Sequence, residues 1–428
     1  MEKIQSIRGM KDILPDESWL WQKVENIYRA TMAKYNYEEI RTPILEKTLL
    51  FARSIGEETD IVGKEMYTFV DKGGEELSLR PEGTAGVVRA YIQHSMSAFQ
   101  PVTKLFYIGP MFRRERPQKG RFRQFHQAGA EIFGAGEPFA EIEQILMLLD
   151  FLNTTGVSPV TIICNHLGTP QSRKLYTEEL VRFFTKHRPD LCEDCIRRLE
   201  TNPLRILDCK QPQCIQIIAS SPPIENMRPD ISNRMLEQFL SILKQMGVNV
   251  VYNSRLVRGL DYYTGIVFEG VVPSIEEEDD ESQSHQPLSI VGGGRYDELV
   301  GQLGGQKTQA VGFAIGLERI IDICRGGMEV KKPVEIFIAN TGEKTIGETF
   351  KTIESLRKAG FLCDFDQRVG SLKSQLKRAD KIGAKFVVFI GEEEIASGKL
   401  KIKNMETGSQ SEVNMENLIS TFEEVLRH

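Results

Sequence analysis

The segment from Phe112 to Glu131, FRRERPQKGRFRQFHQAGAE, holds the densest set of chemically useful side chains in this sequence. Six basic residues, Arg113, Arg114, Arg116, Lys119, Arg121 and Arg123, lie within eleven positions, against one acid, Glu115. Basic residues at that density suit a polyphosphate or a nucleic-acid backbone. Gln127, Gly129 and Glu131 follow at a spacing of two, which on a strand places all three on one face. A glycine between two polar residues leaves room for a small ligand there. A salt-bridged surface hairpin is the competing reading, because charge runs are usually solvated. His126 alternates to the opposite face and reads as structural. A second group is Cys192-x2-Cys195 and Cys209-x4-Cys214, two pairs separated by thirteen residues. That approaches the spacing of a zinc site. Reduced, partly buried cysteines at a turn explain it too, and both readings stay open. There is no Walker A sequence, no GxGxxG after a first strand, and no HExxH or GxSxG.

These residues need elements to position them. Apolar spacing predicts a helix over 16–35 with Asp16 as its N-cap. A strand, EEIRTPILE, follows, bent or placed at an edge by Pro43; this helix and strand read as dimer surface or as plain core packing. LSLR and PEGTAGVVRAYIQH read as strand, turn and helix, with Thr84 capping the helix and Glu82 at its mouth. Strands at 104–116 and 124–134 form the charged hairpin, and 140–152 is a core helix. Residues 168–245 read as a helical insertion containing the cysteines and Asn202–Arg205. Strands return at 248–256 and 264–273, followed by an acidic loop. GGGRYDELVGQLGG reads as a glycine-rich turn before a short helix, and residues 310–325 as a buried strand running into a helix at Gly316. After a linker at 331–333, strands and helices alternate in a separate α/β domain. Its basic cluster, Lys373, Lys377, Arg378, Lys381 and Lys385, suits a solvated helix face or an RNA contact.

A chain of 428 residues is long enough for two or three domains. Its net charge of −6 excludes a globally basic nucleic-acid binder and confines any such contact to local patches. No apolar run reaches transmembrane length and the N-terminus has no signal-peptide core, so a cytoplasmic protein with no membrane role is expected. Seven cysteines, an odd number in such a chain, argue against a disulfide framework.

The motifs resemble those of the class II aminoacyl-tRNA synthetases, and within them the histidyl-tRNA synthetase family. Arg41-Thr42-Pro43 matches the first class motif, Phe112-Arg113-Arg114-Glu115 the second and Gly316-Leu317-Glu318-Arg319 the third; RGLDYY (258–263), LRPEGT and GGGRYD (292–297) match the family signatures. The resemblance covers essentially the whole chain. It implies an α+β fold: a catalytic core on an antiparallel sheet (1–167 and 246–326), the helical insertion (168–245), and a C-terminal α/β anticodon-binding domain (333–428). The activity it implies is histidine–tRNA ligation, with L-histidine, ATP, Mg²⁺ and tRNA(His) as partners and a homodimer as the assembly.

By the same resemblance, Arg258 and Arg113 are catalytic. Glu82, Gly83, Thr84, Arg113, Gln127, Glu131, Arg258, Tyr262 and Tyr263 bind histidine, with Glu131 and Tyr263 addressing the two imidazole nitrogens. Arg113, Glu115, Arg121 and Arg319 bind ATP, and Arg116, Gln118 and Lys119 touch the tRNA acceptor end. Taken singly, Glu82 reads as a helix cap, Arg319 as a helix salt-bridge residue and the tyrosines as core. Two departures stand out: Arg114, where the family often has His or Tyr, and the acidic loop at 276–281. The alternative activity is a synthetase-like regulatory subunit that binds histidine or tRNA without aminoacylating.

Overall fold

The computed structural model describes residues 3–56, 59, 61–117, 120–273, 288–325, 334–368 and 370–427. Gln118, Lys119, the acidic loop at 276–281 and the linker at 331–333 lie outside the described residues. The chain divides into two units, Met1–Met328 and Glu329–His428.

The first unit begins with α1 (Pro15–Lys34), β1 (Glu38–Glu39), β2 (Leu45–Lys47), α2 (Thr48–Ile55), β3 (Tyr67–Val70), β4 (Glu76–Leu79) and α3 (Thr84–Gln93). The charged hairpin is β5 (Thr103–Phe112) and β6 (Gln124–Phe133), followed by α4 (Phe139–Thr154) and β7 (Thr161–His166). Then come α5 (Pro170–Lys186), α6 (Glu193–Thr201), α7 (Pro212–Ala219), α8 (Asp230–Gln245), β8 (Val250–Tyr252) and β9 (Thr264–Val272). The unit closes with β10 (Leu288–Arg295), α9 (Leu299–Gln302), β11 (Ala310–Gly316) and α10 (Leu317–Cys324).

Eight strands form one sheet in the order β1-β5-β6-β11-β10-β9-β7-β8, antiparallel except for the parallel pairs β1/β5 and β7/β8. One face is covered by α1, α4, α8 and α10. Tyr28, Leu148, Phe151, Phe239, Phe268, Phe313 and Ile320 fill that layer and are essentially fully buried. The other face carries Val87, Tyr91, Tyr107, Phe133 and Tyr296, and it shares its apolar cluster with Leu180, Phe184, Leu199 and Ile206 of the insertion. Burial of this kind contributes roughly 1.5–3 kcal/mol per large side chain, which explains how short insertion helices hold their places. Helix α8 falls within 168–245, yet Leu236, Phe239 and Leu243 anchor it to the first layer.

Several local expectations are corrected. Leu14, not Asp16, is the N-cap of α1: Pro15 takes the first helical position, and Asp16 makes no cap bond. The expected strand EEIRTPILE is split around Pro43 into β1, on the large sheet, and β2, in a three-stranded sheet with β4 and β3. Gly83, not Thr84, is the N-cap of α3, and Glu82 serves its free N–H groups instead. The expected glycine-rich turn is the interior of β10, because Gly293 packs against the Gly312 carbonyl and the Phe268 ring, where a side chain has no room.

In the second unit, a sheet of order β13-β12-β14-β15-β16 is formed by β12 (Ile336–Asn340), β13 (Cys363–Phe365), β14 (Phe386–Ile390), β15 (Lys399–Asn404) and β16 (Gln410–Asn414). Helices α11 (Ile346–Lys358), α12 (Leu372–Lys381), α13 (Glu392–Ser397) and α14 (Leu418–Leu426) accompany it. The antiparallel hairpin β15/β16 was not anticipated: β15 alternates, with Leu400 and Ile402 buried, but β16 is mostly exposed and carries a single apolar residue, Val413. Of the basic cluster in α12, Arg378 is committed to Asp364 and Asp366.

Candidate active site

Two cavities adjoin above β6, β11 and β10. The smaller, about 230 Å³, is lined by Glu82, Thr84, Arg113, Gln127, Arg258, Leu260, Tyr262, Tyr263, Ser289–Gly292, Ala314, Gly316 and Arg319. The larger, about 540 Å³, is lined by Arg113, Glu115, Gly120, Arg121, Phe122, Phe125, Glu318 and Arg319, and by insertion residues including Arg205, Asp208 and Lys210. Arg113, Gly316 and Arg319 belong to both and mark their junction.

The guanidinium groups are held by defined partners. Arg113 Nε donates to the Pro81 carbonyl at 2.9 Å, and the group lies 5.2 Å from the Phe125 ring centre. Glu115 sits between Arg113 (3.8 Å) and Arg121 (3.4 Å). Arg319 Nη1 donates to the Ser289 carbonyl. Burial, then the like charge of Arg121, lower the proton affinity of Arg319. Two such cations facing one space favour an anion between them. Arg258 Nη1 pairs with Glu269. Burial opposes the charge on Arg258, but Glu269, Tyr263, Asp208 and Tyr262 together outweigh it and raise the pKa.

Two residues that line the smaller cavity carry polar valences left open. Arg258 Nε and Gln127 Oε1 are buried without a hydrogen-bond partner among the described residues. A donor and an acceptor left in this way are costly unless a ligand completes them. Glu82 accepts from the N–H groups of Thr84 (2.6 Å) and Ala85 (2.8 Å); burial raises its pKa and these bonds oppose the rise. Tyr262 and Tyr263 are buried, and burial pushes both phenols up, so they enter as neutral hydroxyls.

Glu131 differs from its expected placement. It is fully buried and does not line either cavity: Thr84 Oγ1 donates to one carboxylate oxygen at 2.7 Å, and the Tyr296 hydroxyl is bonded to the other. Burial pushes its carboxyl up to about 8. Gly312, opposite it in register, gives the carboxylate its space. The room expected above Gly129 is also filled. The ring of Tyr107, its register partner on β5, occupies it, so that a Cβ on Gly129 would lie 2.4 Å from that ring and one on Gly83 2.2 Å. Arg116 is exposed and lines neither cavity. His126 turns to the other face, against Glu318 (3.0 Å) and the Trp21 ring, as its alternation predicts.

Sequence reasoning missed Tyr107, Glu269 and Tyr296 as site-forming residues; Tyr296 stood inside a quoted signature, and the other two carried no local signal. It also missed how the insertion holds the RGLDYY segment. Asn202 donates to the Asp261 carboxylate (2.7 Å), and Arg173 to the Asp261 (3.0 Å) and Tyr263 (2.7 Å) carbonyls.

With this geometry in view, comparison with known proteins is specific. A family model described as histidyl-tRNA synthetase matches residues 9–172 and 222–320, and one described as an anticodon binding domain matches 335–425. A histidine–tRNA ligase of Halothermothrix orenii is 42% identical over 426 residues, covering 99% of this chain and 100% of that one. One of Aquifex aeolicus is 43% identical over 416 residues, covering 97% and 100%. The crystal structure of apo S. aureus histidyl-tRNA synthetase aligns with a TM-score of 0.81 at 36% identity, covering 98% and 100%.

Proposed function

This chain belongs to the histidyl-tRNA synthetase family, and from that premise we propose how its two cavities activate L-histidine with ATP and pass it to the 3′ end of tRNA(His). The observation that carries the reading is the junction: Arg113 and Arg319 face both cavities, so a ligand in each would meet there. Histidine occupies the smaller cavity. Its ammonium is received by Gln127 Oε1, Glu82 and Thr84, and its carboxylate by Arg258, whose Nε lacks a partner. Tyr262 and Tyr263 line the ring site. Glu131 acts on the ring through Thr84 and Tyr296, or directly once one of them turns aside. Gly83 contributes space for Tyr107 rather than a contact.

ATP occupies the larger cavity, with its α-phosphate at Arg113 and its γ-phosphate at Arg319 and Arg121. A histidine carboxylate oxygen attacks the α-phosphorus, the bond to the bridging oxygen breaks, and pyrophosphate leaves with its negative charge. Arginine suits these positions because its fork binds oxyanions bidentately and stays charged. Holding both reactants at one junction removes most of the entropic cost of their meeting. Glu115 offers a hard oxygen donor of the kind Mg²⁺ takes beside phosphate oxygens, and that ion would neutralise charge on the departing pyrophosphate. In the second step a terminal ribose hydroxyl attacks the acyl carbon and AMP leaves. Arg116, Gln118 and Lys119 are assigned to the acceptor end because they lie in sequence between Glu115 and Gly120, which line the larger cavity. The second unit is assigned to the anticodon.

We also assign a homodimer, supported by exposed Ile44, Leu45, Phe69 and Val70 on and beside the small sheet; a monomer mass by light scattering removes it. No helix among the described residues is long and apolar enough to cross a membrane, and the family's role in translation supports a cytoplasmic setting. The test of the activity is histidine-dependent exchange of pyrophosphate into ATP. Exchange without histidine specificity refutes the pocket assignment. Histidine binding without exchange favours the regulatory alternative.

A further inference from the structure

The cysteines of the insertion converge. The sulfurs of Cys192, Cys195, Cys209 and Cys214 all lie within 4.8 Å of one another, three of the residues are buried, and all are free thiols. Cys192 Sγ and Cys209 Sγ are 3.8 Å apart. A tetrahedral zinc ion with Zn–S bonds of about 2.3 Å holds its sulfurs about 3.8 Å apart, so the spacing is that of a single-ion thiolate site. It is too long for a disulfide, which needs about 2.04 Å. It is too compact for an iron–sulfur cluster, in which each of several irons takes its own thiolates. The local backbone is arranged accordingly. Cys192 is the N-cap of α6 and Cys195 lies in its first turn, while Cys214 lies in the first turn of α7. Helix N-termini favour thiolate over thiol. The Cys192 N–H donates to Cys214 Sγ at 3.3 Å, which ties the first cysteine pair to the second. Four thiols packed together without a metal would contribute only weak hydrogen bonds to an assembly of short helices.

We propose that these four cysteines bind one structural Zn²⁺, which holds together the part of the insertion that forms one wall of the larger cavity. Cys192 and Cys209 themselves line that cavity, as do Asp208 and Lys210 on either side of Cys209, together with Arg113 and Arg319. The segment between the cysteine pairs also carries Asn202, which holds Asp261 of the RGLDYY segment. The ion closes the loop that positions both. Its four thiolates complete the coordination sphere, so it has no open position for substrate and supplies no chemistry. The placement beside ATP rests on the proposed function; the metal site does not, and its test is separate.

The test is metal analysis of full-length protein purified without chelator or added metal. About one zinc per chain is expected, released in step with titration of four thiols by a mercurial reagent. Cys195→Ser and Cys209→Ser should each lower the zinc content at least tenfold, while Cys363→Ser leaves it unchanged. If the first two variants fail to fold, cobalt exchange into wild-type protein decides, since a tetrahedral tetrathiolate site gives intense visible d–d and charge-transfer bands. Metal-free protein whose thiols alkylate at the same rate with and without added zinc overturns the proposal. So does iron in place of zinc, or cobalt lacking thiolate bands. Histidine-dependent exchange bears on the proposed function alone, so the two can fail independently.

Discussion

Gly292→Ala should impair histidine activation although residue 292 offers no group to any ligand. Gly292 on β10 stands opposite Glu269 on β9, and the Arg258 guanidinium crosses over it to reach that carboxylate. A Cβ at position 292 would fall 1.6 Å from Arg258 Nη2 and 2.4 Å from Cζ. Carbon–nitrogen contacts settle near 3.5 Å, so the guanidinium must move by roughly 2 Å. The strand itself accepts alanine, because the conflict is with the far end of a flexible side chain. The perturbation therefore reaches function before stability. Displacement costs the hydrogen bond proposed between Arg258 and the histidine carboxylate, about 1.5–3 kcal/mol for a charged pair. That corresponds to a loss of about 10- to 150-fold in kcat/KM for histidine in pyrophosphate exchange. The double variant Gly292→Ala/Arg258→Ala should match Arg258→Ala alone, because both changes remove one interaction. Exchange within about twofold of wild type in Gly292→Ala, or a double variant whose losses multiply, would refute the reasoning.

Three further outcomes follow from the same geometry. Gly129→Ala should destabilise the first unit by about 1–3 kcal/mol through overpacking against Tyr107, and Tyr107→Ala should relieve much of that cost in the double variant; additive melting shifts would contradict the assigned contact. The Glu131 carboxyl is pushed up to about 8, against about 4.3 in an unfolded chain, so the folded state binds the extra proton between those values and stability falls as pH rises through that window. Glu131→Gln should flatten this decline, and parallel thermal-stability profiles from pH 5 to 9 would count against it. Burial works against the charge on Glu137, but His166 at 3.3 Å, Arg295 and the Ile266 N–H (3.0 Å) hold its pKa below the usual range. Its contribution is present above the unfolded pKa and lost as pH falls through the folded one, so Glu137→Gln should remove part of the acid-side loss of stability seen in urea titrations.

Local pattern was a good guide wherever the pattern itself was strong. Apolar spacing located α1 and α4 to within a residue or two, and the change of period at Gly316 located the junction of β11 and α10. Boundaries failed where a neighbouring group supplied what the local residue was expected to supply. Glu82 serves the N–H groups at the start of α3, and Pro43 divides one extended stretch between two sheets. The hairpin β15/β16 escaped notice although β15 alternates, because β16 has Val413 as its one apolar residue and gives no pattern of its own.

The sequence by itself, through its resemblance to a family, picked out residues that the fold brings together. Glu82, Arg113, Gln127, Arg258, Tyr263 and Arg319 are far apart in the chain, and all six line the smaller cavity. Only the tertiary structure decided how they share the space. It closed Glu131 behind Thr84 and Tyr296, filled the gap over Gly129 with Tyr107, laid Arg258 across Gly292, and brought four cysteines to one point. Each of these depends on strand register or on the docking of an insertion onto a distant sheet. Contacts of that kind join residues far apart in the chain, and no local spacing encodes which partner will stand opposite.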